Sequence, residues 1–212
     1  MSPRGRLVTI EGGEGAGKST VIAAVAALLA ASGREVVATR EPGGTPAAEA
    51  IRALMLSPEH RLAAETELLL AFAARAQHVR ERVLPALERG AVVLSDRFTD
   101  ASFAYQGGGR GIDPARIAEL ERWAAGVRPD LTVLLDVGVA QGLARARGRG
   151  GEPDRIEREQ DAFFERVRAA YLARAAAEPA RVQVVDAGRP QAEVVAAVEA
   201  AVRGWLEAQA WS

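Results

Sequence analysis

The residues Gly12-Gly13-Glu14-Gly15-Ala16-Gly17-Lys18-Ser19 satisfy the spacing G-x-x-x-x-G-K-[ST]. They lie between an apolar, β-branched run at 7–10 and a helix-forming stretch at 19–31. Strand, glycine loop and helix N-terminus in that order aim several backbone N–H groups at one point, and the helix dipole adds partial positive charge there. A polyphosphate suits such a cradle. Lys18 is placed to reach the β- and γ-phosphates, and Ser19 to offer its hydroxyl to Mg²⁺. Among 27 Lys and Arg residues, Lys18 is the only lysine. A compact ammonium fits between phosphates where a planar guanidinium fork does not.

A second chemical pair, Asp96-Arg97, follows the apolar run 91–95. A carboxylate there can act through Mg²⁺ or its waters, and a guanidinium can fork onto a phosphate. After another apolar run come Thr39-Arg40-Glu41-Pro42-Gly43-Gly44-Thr45, which read either as a polar turn or as charged groups at a ligand-binding edge. The segment 102–111 sets Ser102, Tyr105 and Gln106 before a glycine run, a composition expected of a flexible loop that closes over a small molecule. Arg145, Arg147, Arg149 and Arg155 surround Gly150-Gly151. They form either a solvated basic helix end or a set of cations gathered by an anion.

These groups need a scaffold. Short apolar runs at 7–10, 35–39, 91–95, 131–136 and 182–186 alternate with long Ala-rich helical stretches, a pattern that predicts a parallel sheet covered by helices on both faces. In such α/β sheets ligands bind beyond the carboxyl ends of the strands, which is where the two chemical sites fall. Residues 63–88 read as one long helix or two abutting ones. By helical spacing alone, Phe72 within it reads as a core aromatic and Arg75 as a surface charge. The stripe Phe163, Phe164, Val167 and Tyr171 reads as core, and 191–208 as a packing helix.

With 212 residues the chain is expected to form a single domain over 1–212, with a small lid at about 147–157. A formal net charge of −1 provides no global field for a nucleic-acid backbone. The absence of cysteine excludes disulfides, thiolate catalysis and Cys-based zinc sites. No stretch approaches the roughly 18 apolar residues of a membrane span, and no apolar signal core precedes the first strand, so a cytoplasmic location without membrane association is expected.

Read together, the motifs resemble those of the bacterial thymidylate kinases, within the nucleoside monophosphate kinase group. The resemblance rests on residues 11–20, 39–45 and 73–77, Asp96-Arg97, residues 104–112, 128–132 and 135–137, and Asp154-Arg155-Ile156-Glu157. It implies an α/β phosphate-loop kinase fold with a five-stranded parallel sheet, a small arginine-rich lid, ATP as donor, Mg²⁺, dTMP as acceptor and a homodimer. Site roles follow from the resemblance. Gly12 through Thr20, with Arg145 and Arg149, are assigned to ATP, and Glu14 to the deoxyribose hydroxyl as well. Arg97 is assigned to the acceptor phosphate and Arg75 to thymine. Glu41, Pro42, Ser102, Tyr105 and Gln106 join the dTMP site, and Arg149 is the lid arginine that aids transfer. The family's stacking aromatic stands four residues before Arg75, where this chain has Ala71. Phe72 is therefore expected to contact thymine or lie just beneath it.

The expected reaction is phosphorylation of dTMP to dTDP, as a step of dTTP synthesis. Lys18, Arg149, Arg97 and Asp96 would serve catalysis, with Ser19 and Asp96 on the metal. The alternatives are a kinase for another nucleoside monophosphate and a phosphate-loop switch ATPase, which would hydrolyse ATP without any acceptor.

Overall fold

The computed structural model describes residues 4–148, 150 and 152–208. Arg149 and Gly151 therefore lie outside the described residues. Strands β1 (Arg6–Gly12), β2 (Val36–Arg40), β3 (Val92–Asp96), β4 (Leu131–Asp136) and β5 (Val182–Asp186) pair in parallel in the order β2-β3-β1-β4-β5. The three central strands are those whose side chains are buried on both faces, as the apolar runs required. Alternation along β1 divides its residues between two cores. Val8 and Ile10 pack with Val21, Val25 and Leu29 of α1 (Lys18–Ala31) and with Val198 of α9 (Gln191–Ala208). Leu7 points the other way, onto Val83, Leu87 and Phe98. Each such fully buried Val or Leu contributes about 1.5–3 kcal/mol relative to exposure, so β1 cannot shift register without exchanging its two faces.

The remaining helices are α2 (Pro46–Leu56), α3 (Ala64–His78), α4 (Leu84–Glu88), α5 (Thr99–Ser102), α6 (Pro114–Leu120), α7 (Val139–Arg147) and α8 (Asp161–Ala177). The expected 63–88 rod is present, but α3 joins α4 through a wider π-helical turn at Val79–Val83. Pro85 at the start of α4 explains the widening. It has no N–H to donate and its ring crowds the preceding turn, which a looser winding relieves.

The largest departure from expectation concerns 102–111, where 102–109 is helical and a flexible loop was expected. α5 continues into π-helical winding over Phe103–Gly109, with Tyr105 and Gln106 buried. The glycines here serve close packing against α8. A Cβ on Gly108 would stand 2.7 Å from the Arg166 carbonyl oxygen and 2.6 Å from the Ala170 methyl, and one on Gly109 would collide with the Phe163 ring. Composition alone does not separate a glycine that flexes from one that lets two helices touch.

Candidate active site

Register brings the two chemical motifs together. β1 and β3 are adjacent with Ile10 opposite Asp96, so the glycine loop and the Asp96-Arg97 pair leave the sheet side by side at its carboxyl edge. The loop then closes against α7. A Cβ on Gly15 would collide with the Gly142 carbonyl, so this approach is open only to glycine, whose φ of 69° is also in the left-handed region. Lys18 begins α1, and its Nζ donates to the carbonyls of Gly12 and Gly13 at 3.3 Å each. Burial, followed by the neighbouring Arg97 charge, lowers its pKa to about 8. A phosphate arriving there would restore the full cation.

Arg97 is the one non-glycine residue with a left-handed backbone among the described residues, at φ 68°. Such a conformation costs an L-residue roughly 1–2 kcal/mol and persists only where surrounding bonds fix it. Three bonds do so. Arg97 N–H donates to Ile10 O at 3.0 Å, Ser95 Oγ donates to Arg97 O at 2.7 Å, and Phe98 N–H donates to Glu11 Oε1 at 2.7 Å. The side chain is thereby turned toward the glycine loop. Nη1 donates to Gly12 O at 2.9 Å and to the Tyr171 hydroxyl at 3.2 Å, while Nη2 donates to Glu14 Oε1 at 3.0 Å. Tyr105 places its ring 4.8 Å from the guanidinium and donates its hydroxyl to the same Glu14 oxygen. Glu11, which no sequence motif singled out as a site residue, also accepts from the Tyr171 hydroxyl at 2.7 Å. Burial raises its pKa to about 7, Asp100 adding to the effect.

From this corner a cavity of about 270 Å³ runs toward α2 and α3. Glu14 through Ser19, Asp96, Arg97, Glu41, Pro42, Arg75, Ser102, Tyr105 and Gln106 all line it. Arg75 is 4% exposed, which decides against a surface charge. Its Nε donates to Glu41 Oε2 at 2.6 Å, Nη1 to Ser102 Oγ at 3.1 Å and Nη2 to Phe98 O at 3.0 Å. A guanidinium has five N–H groups, so two remain for a carbonyl in the cavity. Glu41 is fixed from its other side by His78 Nδ1 at 2.9 Å, and His78 Nε2 meets Thr39 Oγ1 at 2.7 Å. The 39–45 turn is therefore built into the cavity wall by α3.

Several expected site residues lie outside the cavity lining. Phe72 does not line the cavity; Ala71 does. One residue along a helix turns a side chain by about 100°, and Phe72 is turned into a core with Leu68, Phe103 and Ile117, beneath the Arg75 guanidinium at 4.5 Å. Arg145 does not reach the cavity either, since it clamps the Ala187 carbonyl at 2.7 Å and the Gly188 carbonyl at 3.3 Å. Nor do the described arginines of the lid region gather around one point. Arg147 stands 3.9 Å from Asp161, and Arg155 donates to Glu67 and to Met55 O, both at 2.7 Å. Gly12 and Gly13 serve as acceptors for Lys18 behind the cavity surface, and the Thr20 hydroxyl meets Gln191 at 2.7 Å. Arg52 was missed. It lines the cavity and donates to Pro42 O at 2.9 Å; as the only charged residue in the apolar later half of α2, it carried a legible signal.

Residues suited to a magnesium ion are present. Asp96 Oδ1 is buried and has no hydrogen-bond partner among the described residues, and the exposed Ser19 lines the same cavity. Hard oxygen donors of this kind suit Mg²⁺ held mainly through nucleotide phosphates and water. No group of three or more His, Cys, Asp or Glu side chains forms a dedicated cage among the described residues.

A parallel sheet of this order, a phosphate loop after its central strand and a cavity beside the loop define a phosphate-loop kinase. The family model described as thymidylate kinase matches residues 10–198. The thymidylate kinase of Alkalilimnicola ehrlichii is 56% identical over 209 residues, covering 96% of each chain. That of Chromohalobacter salexigens is 58% identical over 203 residues, covering 94% of this chain and 95% of its own. The crystal structure of thymidylate kinase from Ehrlichia chaffeensis superposes with a TM-score of 0.76 at 31% identity, over 95% of this chain and 99% of that one. The chain belongs to the thymidylate kinase family.

Proposed function

We propose that this protein transfers the γ-phosphoryl group of ATP to the 5′-phosphate of dTMP, giving dTDP for dTTP synthesis, with Mg²⁺ on the donor phosphates. The observation that carries the reading is one cavity lined together by Lys18, Arg97, Arg75 and Gln106. Phosphoryl transfer needs no covalent intermediate, so catalysis consists of alignment and charge neutralisation. Lys18 neutralises the donor phosphates, and Arg97, held by Gly12, Glu14 and Tyr171, anchors the acceptor phosphate in line. Glu14 faces the deoxyribose, and the two remaining Arg75 donors meet a thymine carbonyl. Mg²⁺, held by Ser19 and Asp96 directly or through water, would supply further positive charge at the donor phosphates. Residues 147–157 act as the lid of a single domain, and Arg149 supplies the transferring group with a guanidinium that the phosphate loop lacks.

The substrates are those of the cytoplasm, where we place the protein. We also infer a homodimer. Leu69 on α3 is 58% exposed, and Trp123, on the segment that packs against α3, is 84% exposed. Sedimentation of Leu69→Glu and Trp123→Glu variants should show a monomer where the parent chain shows a dimer.

A coupled ADP-release assay across dTMP, dUMP, UMP, CMP, AMP and GMP tests the assignment. The expected result is acceptor-dependent ADP formation with dTMP highest in kcat/KM. UMP or CMP ahead of dTMP would favour another nucleoside monophosphate kinase, and ADP release indifferent to acceptor would favour a switch ATPase.

A further inference from the structure

Glu67 has no part in the chemistry above, yet its carboxylate is completely buried beside the cavity. Its Oε1 accepts from Gln106 Nε2 at 2.8 Å, and its Oε2 from Arg110 Nε at 3.1 Å and Arg155 Nη2 at 2.7 Å. Burial works to raise its pKa, but hydrogen bonds from Gln106, Arg110 and Arg155 and the Arg110 charge outweigh burial and hold the carboxyl below its ordinary range. An ionised carboxylate can only accept. The end of the Gln106 amide that faces it must therefore be the NH₂, which settles an orientation that density or shape alone leaves open. Gln106 lines the cavity, and its Oε1 has no hydrogen-bond partner among the described residues. Ser102, one turn earlier on the same helix, is the acceptor for Arg75, so the two polar side chains share one wall.

We propose that Glu67 is a positioning residue for base selectivity: by capturing the Gln106 NH₂ it displays the Gln106 carbonyl oxygen to the base, beside the Arg75 donors. The wall then demands an N–H donor next to a carbonyl acceptor. The N3–H and 4-oxo edge of thymine or uracil meets both demands. The N3 lone pair and 4-amino group of cytosine meet neither, leaving acceptor against acceptor and donor against donor. A site built this way rejects the mismatched base by as much as about 10⁴–10⁵, far beyond what an apolar pocket achieves for a methyl group. This inference rests on the reading above that Gln106 faces the base.

The test is Glu67→Gln. Arg110 and Arg155 will claim the new carboxamide oxygen, leaving its NH₂ toward Gln106, which must turn its own oxygen inward and its NH₂ to the cavity. Steady-state kinetics with dTMP and dCMP should then show the dTMP:dCMP ratio of kcat/KM falling by about tenfold or more, carried by opposite changes in KM. Should the single variant not fold with two guanidiniums and no carboxylate, Glu67→Gln with Arg110→Leu removes one cation with the anion and carries the same expectation. A folded variant that loses both activities in parallel, with the ratio unchanged, overturns the proposal and leaves Glu67 a structural anchor. A parent chain with no preference for dTMP over dCMP instead overturns the reading of the site on which the proposal rests.

Discussion

Replacing Phe72 by alanine distinguishes a ring that supports the site from one that touches the substrate. The ring is 2% exposed and packs with Leu68, Phe103 and Ile117. A Phe→Ala change in such a core costs about 3–5 kcal/mol, transfer and cavity together. The guanidinium of Arg75, 4.5 Å above the ring centroid, adds about 1 kcal/mol of cation–π attraction that alanine cannot supply. For a chain of 212 residues, each kcal/mol moves the melting temperature by about 2–4 °C, so a fall of about 10–15 °C is expected. Affinity for dTMP should change by less than about threefold, because Glu41, Ser102 and the Phe98 carbonyl continue to hold Arg75 by bonds of 2.6, 3.1 and 3.0 Å. Differential scanning calorimetry of the free protein, paired with titration calorimetry against dTMP well below the transition, reads both quantities. A loss of dTMP affinity beyond about tenfold with a melting shift under about 3 °C would refute the reasoning and put the ring against the base.

Lys18→Ala should abolish transfer while moving stability by less than about 1 kcal/mol, since its ammonium makes two hydrogen bonds of 3.3 Å among the described residues; full activity in the folded variant would remove the phosphate-loop reading. With the Lys18 pKa lowered to about 8, chiefly by burial, kcat/KM for ATP should fall as pH rises through about 8. The limb for kcat should lie higher because bound phosphate favours the cation, and a kcat/KM limb near about 10 would contradict the buried environment of Lys18. Glu11 is raised from 4.5 to about 7, so the native state holds a proton that the unfolded chain has released, and stability is lost as pH rises through that window. Urea unfolding should show the stability of Glu11→Gln relative to the parent growing by on the order of 3 kcal/mol between pH 4.5 and 7; a difference that stays flat would refute this.

The sheet was legible because short β-branched runs separated by helical stretches leave little freedom in parallel pairing, and residues 131–136 and 182–186 fall where their composition placed them. The phosphate loop was legible for a similar local reason, since its glycines, lysine and serine act within one turn of chain. Harder to read were groups defined by partners remote in sequence. Glu67 draws its meaning from Gln106, Arg110 and Arg155, and His78 from Thr39 and Glu41. Spacing along α3 presents both only as polar residues on a helix. At Phe72 helical spacing read the core correctly while the resemblance pointed toward the substrate, and a single position separates the cavity wall at Ala71 from the core beneath it. The described arginines around 145–155 were equally hard to read, because their partners, two carbonyls on the β5 side, Asp161 and Glu67, come from separate parts of the fold.

The contact of Gly108 and Gly109 with α8 bears on how this pocket can change over evolutionary time. The helix that presents Tyr105 and Gln106 is seated against a neighbour with no room for one added carbon. Any substitution that moves this wall to admit a different base must also repack Phe163, Val167 and Ala170, none of which lines the cavity. The wall at Met55 and Leu56 on the end of α2 is held instead by Arg155, which donates to the Met55 carbonyl from Nε at 2.7 Å and to the Leu56 carbonyl from its backbone N–H at 3.0 Å. Variation that alters how the cavity treats nucleoside analogues should therefore be scarce on the glycine-backed side, which stays fixed under the double demand of folding and recognition.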